Sequence, residues 1–124
     1  MLKEFFYVGM VGALGAVMRY GVSLFCAAAF KFNFPLATLF VNFTGSFLIG
    51  ILAAALLPEQ NALRLFLVVG ILGGFTTFST FSQETLLLFN NGQTMHALAN
   101  ITLNITLCLL FVFLGFKAAR FVIA

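Results

Sequence analysis

The chain has 124 residues, of which 63% are hydrophobic, 18 are Phe and only 7% are charged. A soluble domain carries about 25% charged residues, so this chain cannot clothe itself for water and reads as an all-α integral membrane protein. Its net charge of +3 is scattered along the chain, with no basic run for nucleic acid. Spans of about 20 apolar residues each use up most of the length and exclude a separate catalytic or nucleotide-binding domain.

The first span is predicted over residues 5–30. Lys3 followed by an apolar run mimics a signal peptide. Arg19 interrupts that run and the bulky Phe25 precedes Cys26, so the segment reads as a retained helix. Gly9, Gly12, Ala13, Gly15 and Ala16 recur at helical spacing. Small residues let membrane helices approach closely, either within the subunit or across a dimer face. An arginine inside a span is costly. Arg19 is either a snorkelling anchor or an interior side chain that attracts anions or ties helices together.

Lys31, Asn33 and Pro35 form the first loop, and the second span is predicted over residues 36–57. Thr38, Asn42, Gly45 and Ser46 share one helical face. Asn42 is its key member, because an amide carries donors and an acceptor together. Such a stripe either bonds a neighbouring helix or lines a path.

Pro58-Glu59-Gln60-Asn61 is a turn, and the third span is predicted over residues 63–89 with a break near 73–80. Gly73-Gly74 permit strained backbone angles. Thr76, Thr77, Ser79, Thr80 and Ser82 place hydroxyls around Phe75, Phe78 and Phe81. Hydroxyls at this density are expensive in lipid unless paired or solvated, and irregular backbone survives in a membrane only when buried in protein or lining a wet cavity. The break is therefore a candidate transport site. Phe78 and Phe81 share a face of the resumed helix, with ring edges of partial positive charge. Glu84 follows as an intramembrane carboxylate: protonated, paired with Arg19 or another donor, or open to a vestibule.

Asn90-Asn91-Gly92-Gln93 is the last turn, and the fourth span is predicted over residues 97–122. Asn100, Asn104 and Cys108 fall on one face, with Thr102 and Thr106 as a second short polar line. Cys26 and Cys108 read as small hydrophobes, without metal-ligand spacing. An even number of spans puts both termini on one side, with Lys3, Arg64, Lys117 and Arg120. The positive-inside rule favours that side as cytoplasmic.

Taken together, these residues resemble the Fluc (CrcB-type) fluoride channel family over nearly the whole chain. The resemblance is carried by Gly12-Ala13-Leu14-Gly15-Ala16-Val17-Met18-Arg19-Tyr20, Leu39-Phe40-Val41-Asn42-Phe43-Thr44-Gly45 and Gly73-Gly74-Phe75-Thr76-Thr77-Phe78-Ser79-Thr80-Phe81. It implies an antiparallel, dual-topology dimer in a prokaryotic plasma membrane, surrounded by lipid. Each dimer would have two pores for passive, selective export of cytoplasmic fluoride, giving fluoride resistance. Phe78 and Phe81 fall on the family's fluoride-coordinating aromatic box, Asn42 on the pore asparagine and Arg19 on its arginine. The carbonyls of Gly73 and Thr76 fall on a structural sodium site at the dimer centre. The polar track falls on Asn100, Asn104 and Cys108, with Thr38 and Glu84 nearby, and the hydroxyls of Ser79 and Thr80 complete the expected pathway. The charge bias between the two sides is a departure. It leaves a homodimer beside the alternative of a homologous subunit of opposite orientation. The runner-up is a proton-coupled exporter, which would need Glu84 at its substrate site. A non-transporting assembly subunit is a third reading. No nucleophile–base pair or metal cluster points to an enzyme.

Overall fold

A computed structural model describes residues 1–32 and 34–124; Asn33, expected in the first loop, lies outside the described residues. The elements are α1 (Leu2–Ala29), α2 (Leu36–Ala55), an interrupted third span, and α5 (Thr94–Ile123). The third span consists of α3 (residues 61–75) and α4 (Phe78–Asn90). Within α3, α-helical turns at Asn61–Arg64 and Gly73–Phe75 flank a π-helical stretch, Leu65–Leu72. Among the described residues, four helical segments are long and apolar enough to cross a membrane, so the chain is an all-helical, multi-pass membrane protein.

Local chemistry sets the ends. Pro35 sits at the start of α2, where its missing N–H costs nothing. Between α2 and α3, Leu57 N–H donates to Gln60 Oε1 at 2.8 Å and Gln60 N–H to the Leu57 carbonyl at 3.0 Å. The helix α4 stops because Gly92 takes φ +75°. Gln93 N–H then reaches the Leu88 carbonyl and Gly92 N–H the Phe89 carbonyl, which is a Schellman cap.

The helices associate as α1 against α3 and α2 against α5, with α4 resting on α5. Small residues explain both main pairings. A Cβ on Gly15 would collide with the Ile71 carbonyl, and one on Gly74 with the Gly12 carbonyl. Between α2 and α5 the arrangement is reciprocal. Gly50 lies against the Val112 carbonyl and Gly115 against the Phe47 carbonyl. The glycine stripe of α1 therefore serves packing within the subunit at Gly12 and Gly15, whereas Gly9 and Gly21 have open space around them. Val41, Leu72 and Phe75 form a buried apolar centre where α2 meets α3. Most of each span's surface remains uncovered within the subunit, available to lipid or another chain.

The break falls within the expected 73–80, at Thr76 and Thr77 rather than at the two glycines. Gly73 is helical, with φ −61° and ψ −37°, and among the described residues only Gly92 has a left-handed backbone. The chain leaves the helix at Thr76 and Thr77, which are extended with ψ of 157° and 116°. Gly74 serves close approach to α1 rather than unusual backbone angles.

Candidate ion pathway at the broken third span

One side chain pairs with both backbone groups of the extended residue at the break. Thr77 N–H donates to Asn42 Oδ1 at 2.8 Å, and Asn42 Nδ2 donates to the Thr77 carbonyl at 3.0 Å. The amide thus pairs with both backbone polar groups of an extended residue, which in lipid would otherwise cost several kcal/mol per unsatisfied group. Thr77 also caps α4: its Oγ1 accepts from Thr80 N–H at 3.1 Å, donates to Thr80 Oγ1 at 3.0 Å and lies 3.3 Å from Ser79 Oγ. A threonine cap is worth about 1 kcal/mol. It also turns the positive end of the helix dipole toward the break, where negative charge is favoured.

The carbonyls that end α3 lose their helical donors as a result. Thr77 N–H, which a continuous helix would send to Gly73, goes to Asn42; Thr80 N–H, which would go to Thr76, goes to Thr77 Oγ1. The Gly74 carbonyl is claimed instead by Arg19, whose Nε donates to it at 3.1 Å. Arg19 therefore ties α1 to the end of α3 and does not line the cavity described next.

Beside the break, between α2, α4 and α5, lies a cavity of about 340 Å³. Asn42 and Ser46 from α2, Thr76 and Thr77 from the break, Phe78 and Phe81 from α4, and Asn104 and Cys108 from α5 line it. The two rings stand 5.2 Å apart and 60° from parallel, edge toward face. Phe81 is buried at 6% exposure, whereas Phe78 is 75% exposed and projects from the subunit. Several hydroxyls are satisfied within their own helices. Ser46 donates to the Asn42 carbonyl, Ser82 to Phe78, Thr76 to Leu72 and Thr106 to Thr102.

The polar residues of α5 are buried and bonded. Asn42 Nδ2 also donates to Asn104 Oδ1 at 3.1 Å. Asn104 Nδ2 donates to Asn100 Oδ1 at 3.0 Å and to the Asn100 carbonyl at 2.9 Å. Asn100 Nδ2 donates to Thr85 Oγ1 at 3.0 Å, and Thr85 donates to the Phe81 carbonyl at 2.8 Å. Both Nδ2 hydrogens of Asn42 are thereby committed to protein acceptors. Thr38 and Glu84 lie apart from this cavity. Thr38 Oγ1 donates to Glu84 Oε1 at 2.7 Å, while Glu84 Oε2 is buried without a partner among the described residues. Glu84 borders a second cavity of about 410 Å³ that includes Phe34, Asn91 and Gln93. Its hydrogen-bond partner is Thr38 and not Arg19.

Of the nominated pathway residues, the structure gathers Asn42, Phe78, Phe81 and Asn104 around one cavity, pairs Thr38 with Glu84 elsewhere, and assigns Ser79 and Thr80 to the Thr77 cap. Thr77 and Thr85 were missed as key residues. Thr77 had a readable signal, since a threonine three residues before Thr80 is a capping pattern; Thr85 had none beyond its place one turn after Phe81.

Fold and site define a multi-pass membrane protein whose third span is interrupted at a largely apolar, aromatic-walled cavity edged by two amides and a few hydroxyls. The chain belongs to the CrcB-like (camphor resistance) family, whose model matches residues 6–116. It is 54% identical over 124 residues to a fluoride-specific ion channel FluC of Elusimicrobium minutum, covering 99% of this chain and 98% of that one. It is 45% identical to proteins of the same name from Shewanella loihica, over 92% of this chain and 94% of that one, and Rhizobium meliloti, over 96% and 98%.

Proposed function

We propose that this protein is a passive, fluoride-selective channel that lets cytoplasmic fluoride leave the cell and so gives fluoride resistance. The observation that carries the reading is the 54% identity, over 99% of the chain, to a protein named as a fluoride-specific ion channel. The geometry is consistent with it. A small, strongly hydrated anion needs several positive partners to replace its water, and size and ligand field together set selectivity. The cavity offers the rings of Phe78 and Phe81, whose edges carry partial positive charge, and the positive end of α4.

The proposed pathway runs past Asn42, Phe78, Phe81 and Asn104, with Ser79 and Thr80 at the cap and the Thr38–Glu84 pair toward the second cavity. Phe78 is too exposed to form half of a closed pore by itself. A second copy in antiparallel orientation would cover it and give two pores per dimer; a homologous subunit of opposite orientation is the alternative. The setting is the plasma membrane of a prokaryote.

Sodium fits the break. The carbonyls of Gly73 and Thr76 lack their helical donors, and hard cations take oxygen ligands. Two carbonyls make an incomplete shell, which a second copy would double. Bound there, the ion would neutralise the carbonyl dipoles and join the subunits. The function is tested by anion efflux from liposomes containing the purified protein, with chloride as the comparison.

A further inference from the structure

The bonds from Asn42 to Phe81 form a directed relay, and its most buried member touches no part of the cavity. Asn100 is 0% exposed and absent from the cavity wall, whereas Asn104 and Asn42 line it. An amide has two ends, so its partners decide which end faces where. Thr85 spends its hydrogen on the Phe81 carbonyl, and its oxygen then accepts from Asn100 Nδ2. That fixes Asn100 Oδ1 toward Asn104. Asn104 Nδ2 is in turn held by Asn100 Oδ1 and the Asn100 carbonyl. Its Oδ1 is left facing Asn42 and accepts from Asn42 Nδ2. Every link points the same way, and reversing one amide would set donor against donor at the next.

We infer that Asn100, with Thr85, is a positioning pair that keeps the amide hydrogens of Asn104 turned away from the ion cavity. The inference rests on the fluoride-channel reading. Its consequence concerns how tightly the pore holds its ion. Conduction requires binding weak enough for the ion to leave. A donor free to turn into the cavity would add a charge-assisted hydrogen bond and trap fluoride. With Asn104 Nδ2 held on Asn100, and the hydrogens of Ser46, Thr76 and Thr77 spent on protein acceptors, the cavity wall keeps the weaker rings of Phe78 and Phe81 as its ligands. Without Asn100 Oδ1, or the Thr85 oxygen that orients it, Asn104 Nδ2 keeps only the Asn100 carbonyl, and its second hydrogen is freed to turn to the ion.

The test is the fluoride-concentration dependence of flux in proteoliposomes for Thr85→Val, Thr85→Ser and Asn100→Leu. Thr85→Val is nearly isosteric and removes only the hydroxyl. It is expected to lower the half-saturating fluoride concentration about tenfold, the size of one added hydrogen bond to an ion, and to reduce maximal flux. Thr85→Ser restores the hydroxyl and should restore both values. Asn100→Leu should shift half-saturation in the same direction, with no further effect of Thr85→Val on that background. A purely structural role would reduce the active fraction, and hence maximal flux, with half-saturation unmoved. That result for Thr85→Val overturns the inference even if Asn100→Leu fails to fold. Absence of fluoride flux in the unmodified protein overturns both this inference and the function on which it rests.

Discussion

Asn42 and Thr77 form a two-way clamp: one amide accepts from the backbone N–H of Thr77 and donates to its carbonyl, at 2.8 and 3.0 Å. The clamp joins α2 to the break and substitutes for the helical bonds that Thr77 gives up. Losing it exposes an extended backbone segment to a medium without water to repair it.

Asn42→Ala should therefore destabilise the subunit by about 2–4 kcal/mol, because it orphans the Thr77 backbone pair and Asn104 Oδ1 together. Unfolding in mixed detergent, followed by circular dichroism, measures this. Asn42→Asp retains an acceptor for Thr77 N–H but loses the donors and adds negative charge to the cavity wall. It should abolish fluoride flux, and a fully active variant would place Asn42 off the path.

Close approach of α1 to α3 depends on Gly15. Gly15→Ala would set a methyl group against the Ile71 carbonyl and should cost about 1–3 kcal/mol, as overpacking does. Gly9→Ala has open space around it and serves as the control, expected to be neutral in the same unfolding measurement. Equal effects from both would mean that α1 does not pack through Gly15.

Much of the fold was legible in the sequence, because apolar length dictates spans and proline, amides and glycine dictate turns. The break fell within the expected 73–80, but its cause was not the glycines. Glycine's freedom suggested Gly73-Gly74, yet the helix ends at Thr76, where Asn42 and the Thr77 cap offer the backbone better partners than the helix does. Gly74 is small because the Gly12 carbonyl lies against it. Nothing in a hydropathy pattern announces such a contact. The polar faces of α2 and α5 were visible as stripes. Their joining through Asn42 and Asn104 depends on helix pairing, which spacing within one helix does not encode. Likewise Glu84 was visible as an anomaly, but its partner Thr38 lies 46 positions away along the chain.

Phe78→Ile and Phe81→Ile keep bulk and apolarity while removing the ring edge. Each should reduce fluoride flux at least about fivefold, the worth of a weak hydrogen bond of about 1 kcal/mol. Phe78→Ile should leave subunit stability nearly unchanged, since that ring is 75% exposed. Unaltered flux in both variants would remove the aromatic edges from the mechanism.

Sodium should stabilise the assembled protein through the Gly73 and Thr76 carbonyls. Replacing sodium with N-methylglucamine during purification is expected to lower the thermal midpoint in detergent, with sodium restoring it. A midpoint indifferent to sodium would leave those carbonyls without a cation.

The central claim is selective fluoride conduction by this chain, and anion efflux from proteoliposomes containing it alone tests that most directly. Under matched gradients, valinomycin-supported efflux should be rapid for fluoride and near the protein-free rate for chloride. Equal rates for the two anions, or no fluoride efflux from correctly folded protein, would contradict the account.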